Sequence, residues 1–365
     1  MQALHLYAGP EARALLQREG GLSPSHVGAI AGAAGGPKGL MLGRLDRFIF
    51  GDWLPQSTQP VDLVGASIGA WRMATACLSD STAAFARLEH DYIHQHYALE
   101  PGQTHPTARQ VSTEFGANLA LFFGGRLPEV LNHPRYRVHI IAARGQHVLR
   151  REGRLRTPLG YAGAFFANAL HRPALGAWLE RVVFSSGPSD LPNLPDFPFA
   201  THDFRTRCLR LEADNFMPAL QASCSIPFVL EPVRDIPGAP TGCYWDGGLT
   251  DYHLHLHYRV PQGQVVLYPH FQKTVVPGWL DKGLRWRHKP TSALDRMIVL
   301  APNPAWVAQL PNGKLPDRTD FTRYGQDLAA RVRVWDAAVS ASQQLADEWA
   351  AWLEKPDVGL IQSLS

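Results

Sequence analysis

The stretch VDLVGASIGAW, residues 61–71, runs from an apolar segment into a serine set between two glycines and then into a helix-like segment. Its spacing, Gly65-Ala66-Ser67-Ile68-Gly69, fits the G-x-S-x-G elbow, in which a sharp strand-to-helix turn lifts a serine hydroxyl clear of a sheet. Val61, Leu63 and Val64 supply the strand, and Ile68 to Leu78 reads as helix, with no proline. Gly65 and Gly69 remove side chains that would collide in so tight a turn. At a helix N-terminus the hydroxyl also meets free N–H groups and the positive end of the dipole, which favour developing negative charge. The chain has 32 glycines, so the same spacing also arises in plain turns. Ser67 therefore needs partners elsewhere.

Composition sets the outer limits. By length alone, 365 residues suggest two domains, although α/β enzymes of this size often form one. Hydrophobic residues at 45% and charged residues at 18% exclude a disordered chain. A net charge of +3 without a basic-aromatic signature gives no argument for nucleic acid as a partner. Cys77, Cys208, Cys224 and Cys243 lack metal or redox spacing and read as reduced, buried thiols. The N-terminus lacks the basic start and apolar core of a signal peptide, and no run reaches the length of a membrane span. The expectation is cytoplasmic residence, with any membrane contact peripheral.

Short apolar runs alternate with helical patterns, the signature of an α/β fold. Strands are expected at 26–33, 61–64, 137–143, 182–185, 264–268 and 296–300, and helices at 38–50, 68–79, 82–97, 107–123, 160–179 and 214–223. The proline-rich segment 187–199 reads as a surface loop. Residues 320–354 carry Leu328, Val332, Trp335, Val339, Trp349 and Leu353 at helical steps, predicting one long helix packed on the core or at a dimer contact.

An activated serine needs oxyanion donors and a base. The expected strand HVGAIAGA leads into AGGPKGL, where Gly35 and Gly36 can offer unobstructed N–H groups and Lys38-Gly39 open the next helix. A phosphate loop is the rival reading, but Walker A spacing fails. For the base, Asp246 stands out in GCYWDGGLTDY, followed by Gly247 and Gly248, and upstream lies QASCSIPFVLEPV, residues 221–233.

In this order, GGPKG from Gly35, GASIG around Ser67, ASCSIP from Ala222 to Pro227 and DGG from Asp246 resemble the motifs of the patatin-like phospholipase family. The resemblance covers at least residues 28–251. It implies a three-layer α/β/α sandwich with a mixed, mostly parallel sheet, and one catalytic domain over 1–365. It also implies a Ser67-Asp246 dyad, with Gly35 and Gly36 as the oxyanion hole and Lys38, Gly39, Gly65, Gly69, Gly247 and Gly248 as supporting loop and elbow positions. The implied activity is lipid acyl hydrolysis of phospholipid, lysophospholipid or neutral ester through an acyl-enzyme, with no cofactor or metal. A catalytically weak lipid-binding or interaction protein and an acyltransferase using the same acyl-enzyme are the alternatives. Because a carboxylate is a weak base, Asp246 is expected to be desolvated, among Tyr244 and Trp245 or their neighbours.

The chain departs from the family at Ala33 and Ala34, where more glycine is usual, and at Trp71, which either narrows an acyl pocket or fills the core. After DGGL comes TDYHLHLHY, in which His253, His255 and His257 would share one face of a strand. That alternation raises three readings: a metal site, a histidine base beside Ser67, or a polar face. In 271–290, Trp279 and Trp286 stand among Lys273, Lys282, Arg285, Arg287 and Lys289, a pattern that suits anionic headgroups as well as an ordinary loop.

Overall fold

The computed structural model describes residues 1–99, 101–187 and 197–364. Its centre is a sheet built from β1 (Leu4–Ala8), β2 (Val27–Gly32), β3 (Val61–Ala66), β4 (Tyr136–Gly145), β5 (Leu179–Ser185), β6 (Thr206–Arg210), β7 (Val233–Arg234), β8 (Cys243–Asp246), β9 (Val265–Pro269), β10 (Met297–Pro302) and β11 (Gln362–Ser363). The strand order is β11-β1-β10-β9-β2-β3-β4-β5-β6, with β8 on β4 and β7 on β8. From β10 through β4 the neighbours are parallel, as are β1 with β11 and β5 with β6, while β1 runs antiparallel to β10 and β5 antiparallel to β4. Every residue of β2, β9 and β10 is buried, as expected of parallel strands covered on both faces.

The helices are α1 (Pro10–Glu19), α2 (Gly43–Arg47), α3 (Ile68–Thr75), α4 (Ser81–Ile93), α5 (Ala108–Phe123), α6 (Leu127–Leu131), α7 (Arg156–Leu170), α8 (Phe216–Cys224), α9 (Gly248–Asp251), α10 (Pro304–Val307), α11 (Thr319–Tyr324), α12 (Leu328–Ala341) and α13 (Gln343–Glu354). Together they make an α/β sandwich around a mixed, mostly parallel sheet. No helix among the described residues is long and apolar enough to cross a membrane.

Each expected strand is present, with ends moved by a few residues. The reading missed β1, β6, β7, β8 and β11, which are short or carry polar residues and gain their pairing only from neighbours distant in sequence. The expected single helix at 320–354 is three helices. Gly325 adopts φ +52°, a left-handed conformation that ends α11, and Asp327 caps α12 by accepting from the Ala330 N–H at 2.9 Å. Buried Ser342 turns its hydroxyl back to the Val339 carbonyl at 2.6 Å, where α12 gives way to α13. The helical period persists because Trp335, Val339, Leu345 and Trp349 all reach the core, Trp349 edge-on to Trp53. Of the proline-rich segment, 188–196 lie outside the described residues. The cysteines are free, with Cys77, Cys224 and Cys243 buried and Cys208 half-buried on β6.

One feature of the register positions the site. β3 follows the edge of β4 as far as Ala66 opposite Ile141, and β8 takes over the same edge with Asp246 opposite Ala142. The two strands arrive from opposite directions, so their C-terminal ends meet. β4 thus brings Ser67, the residue after Ala66, beside Asp246.

Candidate active site

Ser67 sits between β3 and α3 with φ +56° and ψ −131°, a conformation that costs a non-glycine residue strain. Its environment enforces the turn. A Cβ on Gly65 would lie 2.5 Å from the Ala70 Cα, and one on Gly69 would overlap the Gly32 carbonyl. Both elbow glycines are therefore required by contact between α3 and the ends of β2 and β3.

The Ser67 hydroxyl donates to Asp246 Oδ2 at 2.7 Å, and Asp246 Oδ1 accepts from the Gly248 N–H at 2.7 Å. Both residues are buried. Asp246 shares a crevice with Ile226, Pro227, Leu249, Tyr252 and Trp279, so the loops around it contribute to its desolvation. That burial raises its carboxyl above the usual range, against the opposing effects of the Ser67 hydrogen bond, Arg318, the Gly248 N–H and Lys282. Gly247 is packed so that a side chain would strike the Ile141 carbonyl, and a Cβ on Gly248 would lie 2.7 Å from Ala34 Cβ.

The glycine loop that follows β2 borders the same cavity as Ser67 through Gly36, at φ +57°. Among the described residues no hydrogen bond engages the N–H of Gly35 or Gly36. A side chain at Gly39 would press on Ile68, so this glycine lets the loop lie against the elbow. Lys38 turns away, its ammonium 5.3 Å from the centre of the Phe271 ring.

Three contributors escaped the sequence reading. Ser223, inside ASCSIP, accepts the Ser67 N–H at 2.9 Å and donates to the Ile141 carbonyl at 2.6 Å. Its own carbonyl accepts from Gly247 at 3.1 Å, while that of Ser225 accepts from Asp246 at 2.9 Å. The stretch therefore ties the elbow to the aspartate loop; the motif was visible but its bonding was not. Replacing Ser223 with alanine leaves the buried Ser67 N–H unpaired, and denaturant melts are expected to show a loss of about 1–3 kcal/mol together with slower turnover.

Arg318, at the start of α11, lines the cavity and the Asp246 crevice, its Nε 3.5 Å from the position a Gly36 Cβ would take. Its guanidinium has no hydrogen-bond or ion-pair partner among the described residues. Lys282 is exposed overall, but its ammonium lies 4.2 Å from the centre of the Tyr252 ring, and desolvation, with Arg318 and Lys38, pushes it down to about 8. No motif marks Arg318, and Lys282 stood out only within the cationic pattern of 271–290, because the chain brings both to the site from beyond the DGG segment.

The cavity has a volume of about 470 Å³, in the range of small-molecule sites. Trp71 forms part of its wall and also packs on Tyr92, Phe115 and Phe122, so it both narrows the cavity and fills the core. Val111, Phe115, Ile226 and Leu230 add apolar lining.

His253, His255 and His257 do not share a strand face. Leu254 has φ +50°, and the segment is irregular. His253 is buried against Tyr252, His270 and Phe271, its Nδ1 accepting from the Val276 N–H at 3.0 Å, whereas His255 bonds Thr291 at 2.8 Å. The Ser67 hydroxyl donates to Asp246, not to His253. Among the described residues no group of three or more His, Cys, Asp or Glu is disposed to hold a metal ion.

A scan against protein-family models finds none that matches the chain, and comparisons with curated proteins and with solved structures find no match either.

Proposed function

We propose that the protein is a serine acyl hydrolase of patatin-like type, cleaving carboxylic esters of lipids with Ser67 as nucleophile and Asp246 as general base. The observation that carries this reading is the 2.7 Å hydrogen bond from the Ser67 hydroxyl to Asp246, made by a buried serine held at φ +56° in the wall of a largely apolar cavity.

In this mechanism Ser67 Oγ attacks the ester carbonyl as its proton passes to Asp246 Oδ2. The N–H groups of Gly35 and Gly36 receive the tetrahedral oxyanion. Collapse breaks the bond to the alcohol, which leaves with the proton from Asp246. Water then attacks the acyl-enzyme, giving its proton to Asp246, and Ser67 is restored when that proton returns to Oγ. The crevice beside Asp246 holds about 10 Å³, about the room one water needs. The carboxyl's raised pKa makes it a better base than an exposed aspartate, and activity is supported only above that pKa.

The direct test is hydrolysis of p-nitrophenyl esters of increasing chain length beside phosphatidylcholine and its lyso form. Turnover lost in both Ser67→Ala and Asp246→Asn supports the reading; a wild type inactive on every ester overturns it and leaves the binding role. The Arg318 guanidinium, unpaired among the described residues, lines both the cavity and the Asp246 crevice, so an anionic alcohol portion bound there would meet its charge. Arg318→Gln is expected to lower kcat/KM about 10–100-fold for esters with an anionic alcohol portion and to spare neutral ones, as follows from losing a charge-assisted hydrogen bond.

A further inference from the structure

α7 is apolar on both sides. Its inner face, with Gly160, Tyr161 and Ala164, is buried. Its outer face and preceding residue present Leu155, Leu159, Phe166 and Leu170, which are between 66% and 88% exposed. Their steps of four, seven and four residues place them in one stripe at 100° per residue. A soluble surface helix normally presents charge there, but residues 157–170 contain no charged side chain.

The helix reaches the cavity wall through its buried face. The Tyr161 ring on α7 meets that of Phe228 edge-on, centroids 5.8 Å apart. Phe228, exposed and held at φ +68°, lines the cavity that contains Ser67, as does the exposed Val229. At the other end of α7, Arg287 donates to Asn168 at 3.2 Å and to the Ala169 carbonyl at 3.1 Å, anchoring exposed Trp286 beside the helix. Of the two tryptophans in 271–290, only Trp286 is exposed to this degree; Trp279 is half-buried over the Asp246 crevice.

Charge identifies the occupant. Exposed Arg151, Arg154 and Arg156 stand at the N-terminal end of the stripe, and exposed Arg285 and Lys289 follow in the segment anchored at its C-terminal end. None of the five has a carboxylate partner among the described residues. The nearby Glu152 is paired with Arg234. Two copies meeting face to face through α7 would bring these cations together, whereas a sheet of anionic headgroups would neutralise them at about 1 kcal/mol each.

We propose that the outer face of α7, with Phe228, Val229 and Trp286, is a docking surface for an anionic lipid bilayer, seating the cavity mouth against the membrane. Leu159 and Phe166 enter the headgroup–acyl boundary while the flanking cations stay at headgroup level. This deepens the acyl hydrolase reading by naming the surface from which substrate enters, and that orientation rests on the reading; vesicle binding does not.

The test uses the full chain carrying Ser67→Ala, so that no lipid is consumed, in sedimentation with vesicles of phosphatidylcholine alone or mixed with phosphatidylglycerol. Binding is expected to the mixed vesicles, to weaken with salt, and to fall about 10-fold or more when Leu159→Ser and Phe166→Ser are added. Neither residue lines the cavity, so unchanged thermal melts and, in the Ser67 background, unchanged hydrolysis of a soluble short-chain ester check that the site is intact. Absent vesicle binding, or binding indifferent to the two substitutions, overturns the proposal. So does a solution dimer that the substitutions dissociate, since a second copy then covers the face. Vesicle binding by a chain inactive on every ester would sink the hydrolase reading and leave the docking surface standing.

Discussion

Ser67→Ala and Asp246→Asn are each expected to lower kcat on a soluble ester by about 10⁴-fold or more, with combined loss far below the product of the two, because nucleophile and base act as one unit. Their effects on stability should diverge. Burial holds the Asp246 carboxyl above its unfolded pKa, so the folded state binds more protons than the unfolded one across that interval. The contribution to stability is present in full below the unfolded pKa and is lost as pH rises through the folded value. At neutral pH the ionised, desolvated carboxylate therefore costs stability. Asparagine removes that charge, and thermal melts at pH 7 should show Asp246→Asn no less stable than wild type, with its advantage shrinking as pH falls toward the usual aspartate range. An inactive Asp246→Asn that is also strongly destabilised would mean that the carboxylate is chiefly a structural acceptor for Ser67 and Gly248. Unimpaired turnover in this variant would remove Asp246 from the chemistry.

Breaking the Arg72–Asp46 pair is expected to give the largest stability loss near the site. Arg72 in α3 donates to both carboxylate oxygens of Asp46 in α2 at 2.7 Å, with both side chains almost fully buried. Arg72→Met strands a buried carboxylate, and the expected loss at neutral pH is about 3–5 kcal/mol by denaturant titration. Even with Arg72 present, burial keeps the Asp46 carboxyl above its usual range. Without the guanidinium that rise grows, so the folded state retains a proton over a wider interval. The deficit of Arg72→Met should accordingly be greatest at neutral pH and shrink as the solution is acidified. Asp46→Leu combined with Arg72→Met should recover much of the loss, since the pair's desolvation is then removed as well. A double variant as unstable as Arg72→Met alone would mean that the lost packing of Arg72 beside Gly39, not the stranded charge, dominates.

Strands such as β2, β9 and β10 were legible because central parallel strands are apolar along their whole length. β8 was not, since four residues, CYWD, carry no period that a local reading can use. The helical period within 320–354 was real, yet the expected single helix concealed breaks at Gly325 and Ser342, because period records which face is buried and not whether the backbone stays continuous. The alternation of His253, His255 and His257 misled for a related reason. It assumes an extended backbone, and Leu254 at φ +50° interrupts one.

The sequence by itself determined the strand-elbow-helix around Ser67, the glycine loop at Gly35 and Gly36 and the candidacy of Asp246, because turn geometry and close approach restrict which residues a short segment tolerates. Only the tertiary structure decided that β3 and β8 share one edge of β4, so that a hydroxyl and a carboxylate 179 positions apart stand 2.7 Å from each other. It also decided that Ser223 bonds the elbow, that Arg318 reaches the cavity without a partner, and that one face of α7 stays apolar in solvent. The division has a physical cause: local sterics act within a few residues and leave their mark in the string, whereas burial, pairing and exposure are set by whichever distant segment packs alongside.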